Sequence, residues 1–505
     1  MEDKKKFKFN CKYEIILFII EAICMTLELV ASRVLSPFFG NSNIVWTSVI
    51  GIILLSSSMG NYYGGKIADK RDNEKSLKKI IMLASIFVLI IPVVQSLLLD
   101  LVSITVRDVK IGAIVSTVLL FFMPSLLLGL IIPIILKIKL DSIENTGKTS
   151  GRIYAISTMG GIFGTFLSGF VLIPNFGSVH ILFVLSAILL VISLFVYTKM
   201  DKKILAYTIT LILADVLLFT AYFATNKTNS QRVLNNELYI KTSIDTQYGR
   251  ALVYNAKYNG ELVRVLNLDS GFESATYIDK EKRNELVFEY TNAYNLMFKS
   301  QNDINNVLLI GGAGYSYPKY YISHFDNKVI DVVEIDGEIT KVAKKYFYLD
   351  DLIKEYKTEE NHRLNLYTED GRTYLNNNSK KYDAILNDAF SGKNPAKTLT
   401  TLETVKKIKE SLIDNGMYLT NVINALEGDK SKFLRAEVNT LKQVFKNVYV
   451  IPVKPDRKPE EEQNIMVIAT DADIQFDNTY DLQLKPDEII ITDDYCPVEY
   501  LTQGI

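Results

Sequence analysis

Residues 307–336, VLLIGGAGYSYPKYYISHFDNKVIDVVEID, contain the pattern that decides the fold of the C-terminal half. A short run of buried-strand character, Val307–Ile310, ends in the glycine-rich turn Gly311-Gly312-Ala313-Gly314. An amphipathic helical segment follows, then a second strand ending in Glu334-Ile335-Asp336. Strand, glycine turn, helix and strand follow one another within about thirty residues. The same alternation recurs downstream in RLNLYTED, YDAILND, GMYLTNVI, NVYVIPV and NIMVIAT. It predicts a mostly parallel, doubly wound α/β sheet of Rossmann-like type. Upstream, Ala251–Tyr254, Val263–Leu268 and Ala275–Ile278 alternate as short strands, with the hairpin signal Asn259-Gly260 between the first two. They predict a small β-module.

In a doubly wound sheet, ligands bind beyond the carboxyl ends of the strands. Those ends carry a consistent set of residues here. Gly311, Gly312 and Gly314 let a nucleoside and its tail approach the backbone. Glu334 and Asp336 end the second strand, where an acidic side chain accepts hydrogen bonds from ribose hydroxyls. The third strand ends in Glu369-Asp370-Gly371, where a carboxylate can receive an adenine amino group. The fourth ends in Asn387-Asp388-Ala389-Phe390. Each acid alone is commonly a helix cap; four in register favour a binding site.

The first half differs in composition. Splitting the 505 residues at about 225 leaves 21 basic and 14 acidic side chains before the split, and 35 and 43 after it. Seven apolar stretches precede the split: about Ile15–Leu35, Ile44–Tyr63, Ile80–Leu101, Ile111–Leu136, Ile153–Pro174, Ile181–Tyr197 and Ile204–Ala224. They predict an all-α membrane domain of about seven spanning helices. The expected division is 1–225 transmembrane, 226–280 β-module and 281–505 Rossmann-like domain. Alternate loops hold 18 basic residues, among them Lys4–Lys8, Arg71 and Lys199, against three (Arg33, Arg107 and Lys110) in the others. That bias places the N-terminus in the cytoplasm and, after seven crossings, the C-terminal half outside it. Glu14, Glu21 and Glu28 recur along one face of the first helix. Such carboxylates are either interfacial, paired, or part of a cation or proton site. Gly160, Gly164 and Gly169 in the fifth span read as close helix packing.

An acidic soluble half without a basic cluster argues against nucleic-acid binding. Three cysteines and three scattered histidines form no disulfide framework or zinc pattern, so no metal is expected.

From about Gln247 to Ala469 the sequence resembles the spermidine synthases, and the whole chain resembles bacterial proteins with such a domain fused behind a multi-span membrane region. The resemblance rests on LELVASRVLSPFFG, VWTSVIG, GRIYAISTMGG and GFVLIPNFG in the first half. In the second it rests on LNLDSGFES, VLLIGGAG, VVEIDGEI, EDGRTYL, YDAILNDAF and LTTLETVKKIKESLIDNGMYLTNV. It implies a membrane-bound polyamine aminopropyltransferase that uses decarboxylated S-adenosylmethionine, or S-adenosylmethionine, as co-substrate. In that scheme Gly311, Gly312 and Gly314 line the nucleoside tail, Glu334 holds the ribose, Asp370 contacts adenine, and Asp388 accepts a proton from the attacking amine.

The chain departs from the family pattern at Gly314 and Ser391, where the family carries aspartates. Glu273 stands for a family glutamine, and Phe288-Glu289 for a Tyr-His pair, with Tyr290 following. Glu273, Glu289 and Asp388 suit a small cationic amine or polyamine. The other implied partners are the lipid bilayer and a second copy of the chain in a homodimer. Two alternatives stay open at this stage: methyl transfer from, or cleavage of, S-adenosylmethionine, and a transporter or non-catalytic ligand sensor.

Overall fold

The computed structural model describes residues 11–39, 43–70, 73–106, 108–140, 146–196, 202–229, 239–268, 271–300, 303–391 and 394–502. The basic residues Lys4–Lys8, Arg71, Arg107 and Lys199 lie outside that set. The chain forms two compact units, one of residues 1–230 with 244–249 and one of residues 231–243 with 250–505.

The first unit is helical. Among the described residues, six helices are long and apolar enough to cross a membrane: α1 (Lys12–Phe39), α2 (Asn43–Ala68), α3 (Asn73–Thr105), α4 (Val109–Lys139), α5 (Thr146–Leu172) and α6 (Ser178–Val196). The seventh expected span is also a helix, α7 (Lys202–Asn229), but its apolar stretch is the shorter Ile209–Ala221, with Asp215 inside it. Apolar side chains such as Leu97, Ile104 and Phe170 are at least 74% exposed, an apolar surface of the kind that marks a membrane or protein interaction site. Inside, small residues bring backbones together. A Cβ on Gly160 would collide with the Phe18 carbonyl, and one on Gly164 with the backbone of Ala22, so α1 and α5 meet along that stripe. A Cβ on Gly169 would meet nothing within 4 Å among the described residues, so the expected packing stripe does not extend to it. Glu14 is paired, 3.0 Å from Lys139 and 3.7 Å from Arg152. Glu21 faces Ser157 of α5.

A four-stranded sheet follows in the order β1 (Tyr239–Asp245), β2 (Arg250–Tyr258), β3 (Glu261–Leu268), β4 (Gly271–Tyr277), and all of it but the last two residues of β1 belongs to the second unit. Asn259 and Gly260, at φ 50° and 84°, make the two-residue turn between β2 and β3, with Tyr258 paired to Glu261. Both central residues at positive φ match the right-handed twist of the flanking strands.

The larger sheet contains β5 (Asn306–Ile310), β6 (Val329–Glu334), β7 (Leu364–Thr368), β8 (Tyr382–Asn387), β11 (Leu412–Asn424), β12 (Asn447–Pro452) and β13 (Gln463–Thr470); β9 (Phe390–Ser391) and β10 (Asn394–Pro395) form a separate small ribbon. The spatial order is β12-β13-β11-β8-β5-β6-β7. Five neighbours, β11, β8, β5, β6 and β7, are parallel, while β13 runs antiparallel to both β11 and β12. This is a Rossmann-like sheet of the methyltransferase type. Helices α8 (Ser316–His324), α9 (Gly337–Tyr346), α10 (Gly371–Asn377), α11 (Leu402–Ser411) and α12 (Lys432–Lys442) connect the strands. Strand β8 is buried along its whole length, as a central strand covered on both faces must be.

Candidate active site

The chain leaves β5 toward β6 on one side and returns as β8 on the other, so the crevice at their carboxyl ends is the topological switch point. Gly311 and Asp388 stand there. Gly311 has φ +96°, and its N–H donates to the Val333 carbonyl at 2.9 Å. Ala313 and Tyr315 follow at φ 42° and 55°, left-handed conformations that cost non-glycine residues on the order of 1–3 kcal/mol each. Glu334 holds this turn. One carboxylate oxygen accepts the N–H groups of Gly312 and Ala313 at 2.9 Å each, and the other accepts that of Asp336 at 3.0 Å. Burial pushes the Glu334 carboxyl upward against the opposing effect of these three bonds.

The remaining acids at the strand ends have local work as well. Asp336 caps α9 through the Glu338 N–H at 3.0 Å, and Asp370 caps α10 through the Thr373 N–H at 2.9 Å. Gly371 allows α10 to approach β5, since a Cβ there would lie 2.6 Å from the Ile310 side chain. At Gly314 a Cβ would lie 2.6 Å from Ser274 Oγ, which is itself 2.8 Å from Ser316 Oγ. The Ser274 hydroxyl thus crowds the place that a side chain at position 314 would take.

A cavity of about 420 Å³ opens at the switch point. It gathers six of the residues singled out from sequence: Glu273, Glu289, Tyr290, Gly311, Gly312 and Asp388. Gly314, Glu334, Asp336, Asp370 and Gly371 do not line it. The structure therefore separates the acids at the strand ends into two groups. Asp388 faces the cavity, and the others support the turn and the helix starts beside it.

Asp388 is held from two sides. Tyr290 Oη donates to Oδ2 at 3.2 Å and Asn421 Nδ2 to Oδ1 at 3.2 Å. Asn421 is fixed in turn by Asn464, whose Nδ2 donates to Asn421 Oδ1 at 3.1 Å. Burial raises the Asp388 carboxyl to about 6, with bonds from Asn421, Tyr294 and Tyr290 pulling the other way. The Tyr290 hydroxyl is pushed well up by burial and by the neighbouring Asp388 charge, so it remains a proton donor. With its carboxyl raised to about 6, Asp388 is largely ionised at pH 7, yet close enough to neutrality to take a proton.

Sequence reading missed Asn421, Asn464 and Lys454, all in the cavity wall. The asparagines had a usable signal, because an amide inside an otherwise apolar central strand requires a buried partner. Lys454 had none. It sits in a polar segment after β12, and only the folded chain brings its Nζ to 3.2 Å from the Glu289 carboxylate. Glu289 therefore enters the site already paired with a cation.

Residues 292–478 match the spermine/spermidine synthase domain. A curated polyamine aminopropyltransferase of Vibrio vulnificus is 28% identical over 166 residues, 32% of this chain and 49% of that protein. One from Methanocaldococcus jannaschii is 29% identical over 207 residues, covering 39% of this chain and 61% of that protein. The chain thus spans about half to three-fifths of these two relatives. Among solved structures, a probable spermidine synthase from Corynebacterium glutamicum is 18% identical with a TM-score of 0.39, covering 47% of this chain and 82% of that one. Residues 292–478, in which Asp388 faces the cavity at the switch point of the sheet, are thus similar to the spermine/spermidine synthase domain.

Proposed function

We propose that this is a membrane-bound aminopropyltransferase, which moves the aminopropyl group of decarboxylated S-adenosylmethionine onto an amine and releases methylthioadenosine. The observation that carries the reading is Asp388, a carboxylate tuned near 6 that faces the cavity and is gripped by Tyr290 and Asn421. An ammonium ion cannot attack. Asp388 would orient the amine and accept a proton as the new C–N bond forms and the C–S bond breaks. The bonding electrons leave with sulfur, which passes from sulfonium to neutral thioether. Fixed donors to both oxygens of Asp388 keep it aimed, so positioning supplies much of the rate.

In this reading the backbone at Gly311 and Gly312 lies along the nucleoside tail. Glu334, with three acceptor sites already used, offers what remains to the ribose, and Asp336 shares that edge. Asp370 reaches adenine while capping α10, with Gly371 keeping the helix close and Gly314 keeping the turn narrow. Glu273 and Tyr290 would meet the cationic tail and the amine.

The test is release of methylthioadenosine by the purified full-length protein from decarboxylated S-adenosylmethionine and a panel of amines. No release with any amine defeats the transfer reading. The α1–α6 helices support a membrane location, and the loop charges favour a cytoplasmic N-terminus. Counting α7 as a crossing puts the C-terminal domain outside the cytoplasm. Protease accessibility of that domain in sealed vesicles of known orientation decides this point, and protection on the outer face would reverse it.

A further inference from the structure

We propose that the acceptor is an amine that also carries a carboxylate, and that Lys454 binds that carboxylate; this inference rests on the aminopropyl-transfer reading. Lys454 is part of the cavity wall and is positioned by the sheet. Its N–H donates to Gln463 Oε1 at 2.9 Å, and the preceding Val453 N–H donates to the Asn464 carbonyl at 3.0 Å. The Asn464 side chain bonds Asn421, and Asn421 bonds Asp388. A short chain of contacts through β13 and β11 thus fixes the lysine backbone relative to the carboxylate that receives the reacting amine.

A diamine presents two ammonium groups. One would go to Asp388, and the other would enter a wall where Lys454 already supplies a cation. Glu273 lies with Asp388 on the side of Tyr290 and the reacting amine, so beside Lys454 the second ammonium must share the one carboxylate of Glu289 with the lysine. An amino acid avoids the conflict. Its ammonium goes to the Glu273 and Asp388 side, and its carboxylate replaces Glu289 as the partner of Lys454. That exchange is cheap, because the Lys454 and Glu289 side chains are 47% and 60% exposed, and a wet pair of this kind contributes little. The reaction balances as for any amine. The nitrogen lone pair forms the C–N bond, the C–S electrons leave with methylthioadenosine, and one proton passes to Asp388 and on to water. The carboxylate is unchanged and the product is an N-(3-aminopropyl) amino acid.

The experiment uses the full-length protein in detergent micelles with decarboxylated S-adenosylmethionine. Three acceptors of similar length are compared: 4-aminobutanoate, putrescine and n-butylamine. The expected result is at least a tenfold higher kcat/KM for 4-aminobutanoate than for putrescine. Lys454→Met should bring 4-aminobutanoate down to the n-butylamine level, and Lys454→Glu should reverse the preference. A wild-type preference for putrescine, or a ratio unmoved by Lys454→Glu, overturns the proposal. Thermal shifts produced by 4-aminobutanoate and putrescine, with methylthioadenosine present, provide a reading independent of turnover. If no acceptor releases methylthioadenosine, the transfer reading has failed. A larger shift with 4-aminobutanoate, lost in Lys454→Met, would still uphold the carboxylate site, and a larger shift with putrescine would remove it.

Discussion

A Cβ placed on Gly311 would lie 2.5 Å from the carbonyl oxygen of Asp388. The glycine turn after β5 and the candidate catalytic carboxylate after β8 are therefore in backbone contact, and neither can move alone. Gly311→Ala combines that collision with a φ of +96°, which an L-residue rarely adopts. The expected cost is on the order of 1–3 kcal/mol, seen as a lower Tm, together with a loss of transfer activity larger than the unfolded fraction explains. An unchanged Tm would show that the crevice has slack that the geometry does not suggest.

Replacing Asp388 by Asn keeps the shape and removes the proton acceptor. Methylthioadenosine release should fall about 10²–10⁴-fold while nucleoside binding, measured by calorimetry, stays near wild type. The wild-type pH profile follows from the raised carboxyl. Activity needs the ionised form, so it is present above about 6 and lost as pH falls through that value, about tenfold for each further unit. A profile flat from pH 7 to 5 would assign the proton transfer elsewhere.

Two substitutions at Asp370 separate its structural work from its proposed contact with adenine. Asp370→Ala loses the bond to the Thr373 N–H and should cost about 1 kcal/mol of stability. Asp370→Ser can still cap α10 but has no carboxylate. Its Tm should stay near wild type while affinity for methylthioadenosine drops severalfold. Equal affinity for wild type and Asp370→Ser would leave only the capping role.

These contrasts also show where the sequence was legible. Each expected strand from VLLIG to NIMVIAT forms, because a continuous apolar run between turn residues has few other ways to satisfy its backbone in a buried sheet. Asn259-Gly260 made its hairpin for a purely local reason. The antiparallel entry of β13 between β11 and β12 left no local trace, since strand direction is set by distant pairing. The same holds for the cavity. Asp388 could be placed because it ends a strand, and Gly312 because it belongs to the turn beside it. Lys454 could not be placed, because its neighbour Glu289 lies 165 positions away in sequence. Glu334, Asp336 and Asp370 were found as strand-end acids, but their bonds to local N–H groups appear only in three dimensions.

In the helical unit the glycine stripe gives an internally controlled test. Gly160→Leu or Gly164→Leu forces a side chain into the backbone of α1 and should separate α1 from α5, lowering the yield of folded, monodisperse protein in detergent. A Cβ on Gly169 meets nothing within 4 Å among the described residues, so Gly169→Leu should be tolerated. Equal yields for all three would mean that the α1–α5 contact does not hold the unit together.

Glu437 on α12 is 1% exposed, and its Oε2 has no hydrogen-bond partner among the described residues. Burial pushes its carboxyl up to about 8. Between its ordinary value of about 4.5 and about 8, the folded protein keeps this proton and the unfolded chain has lost it. The unfolded state binds fewer protons, so this group makes stability fall as pH rises across that window, by at most about 1.4 kcal/mol per unit. Glu437→Gln cannot ionise and removes the slope. The Tm of the variant should match wild type near pH 5 and exceed it increasingly toward pH 8. Parallel Tm curves would mean that Glu437 is ionised and partnered in the folded chain.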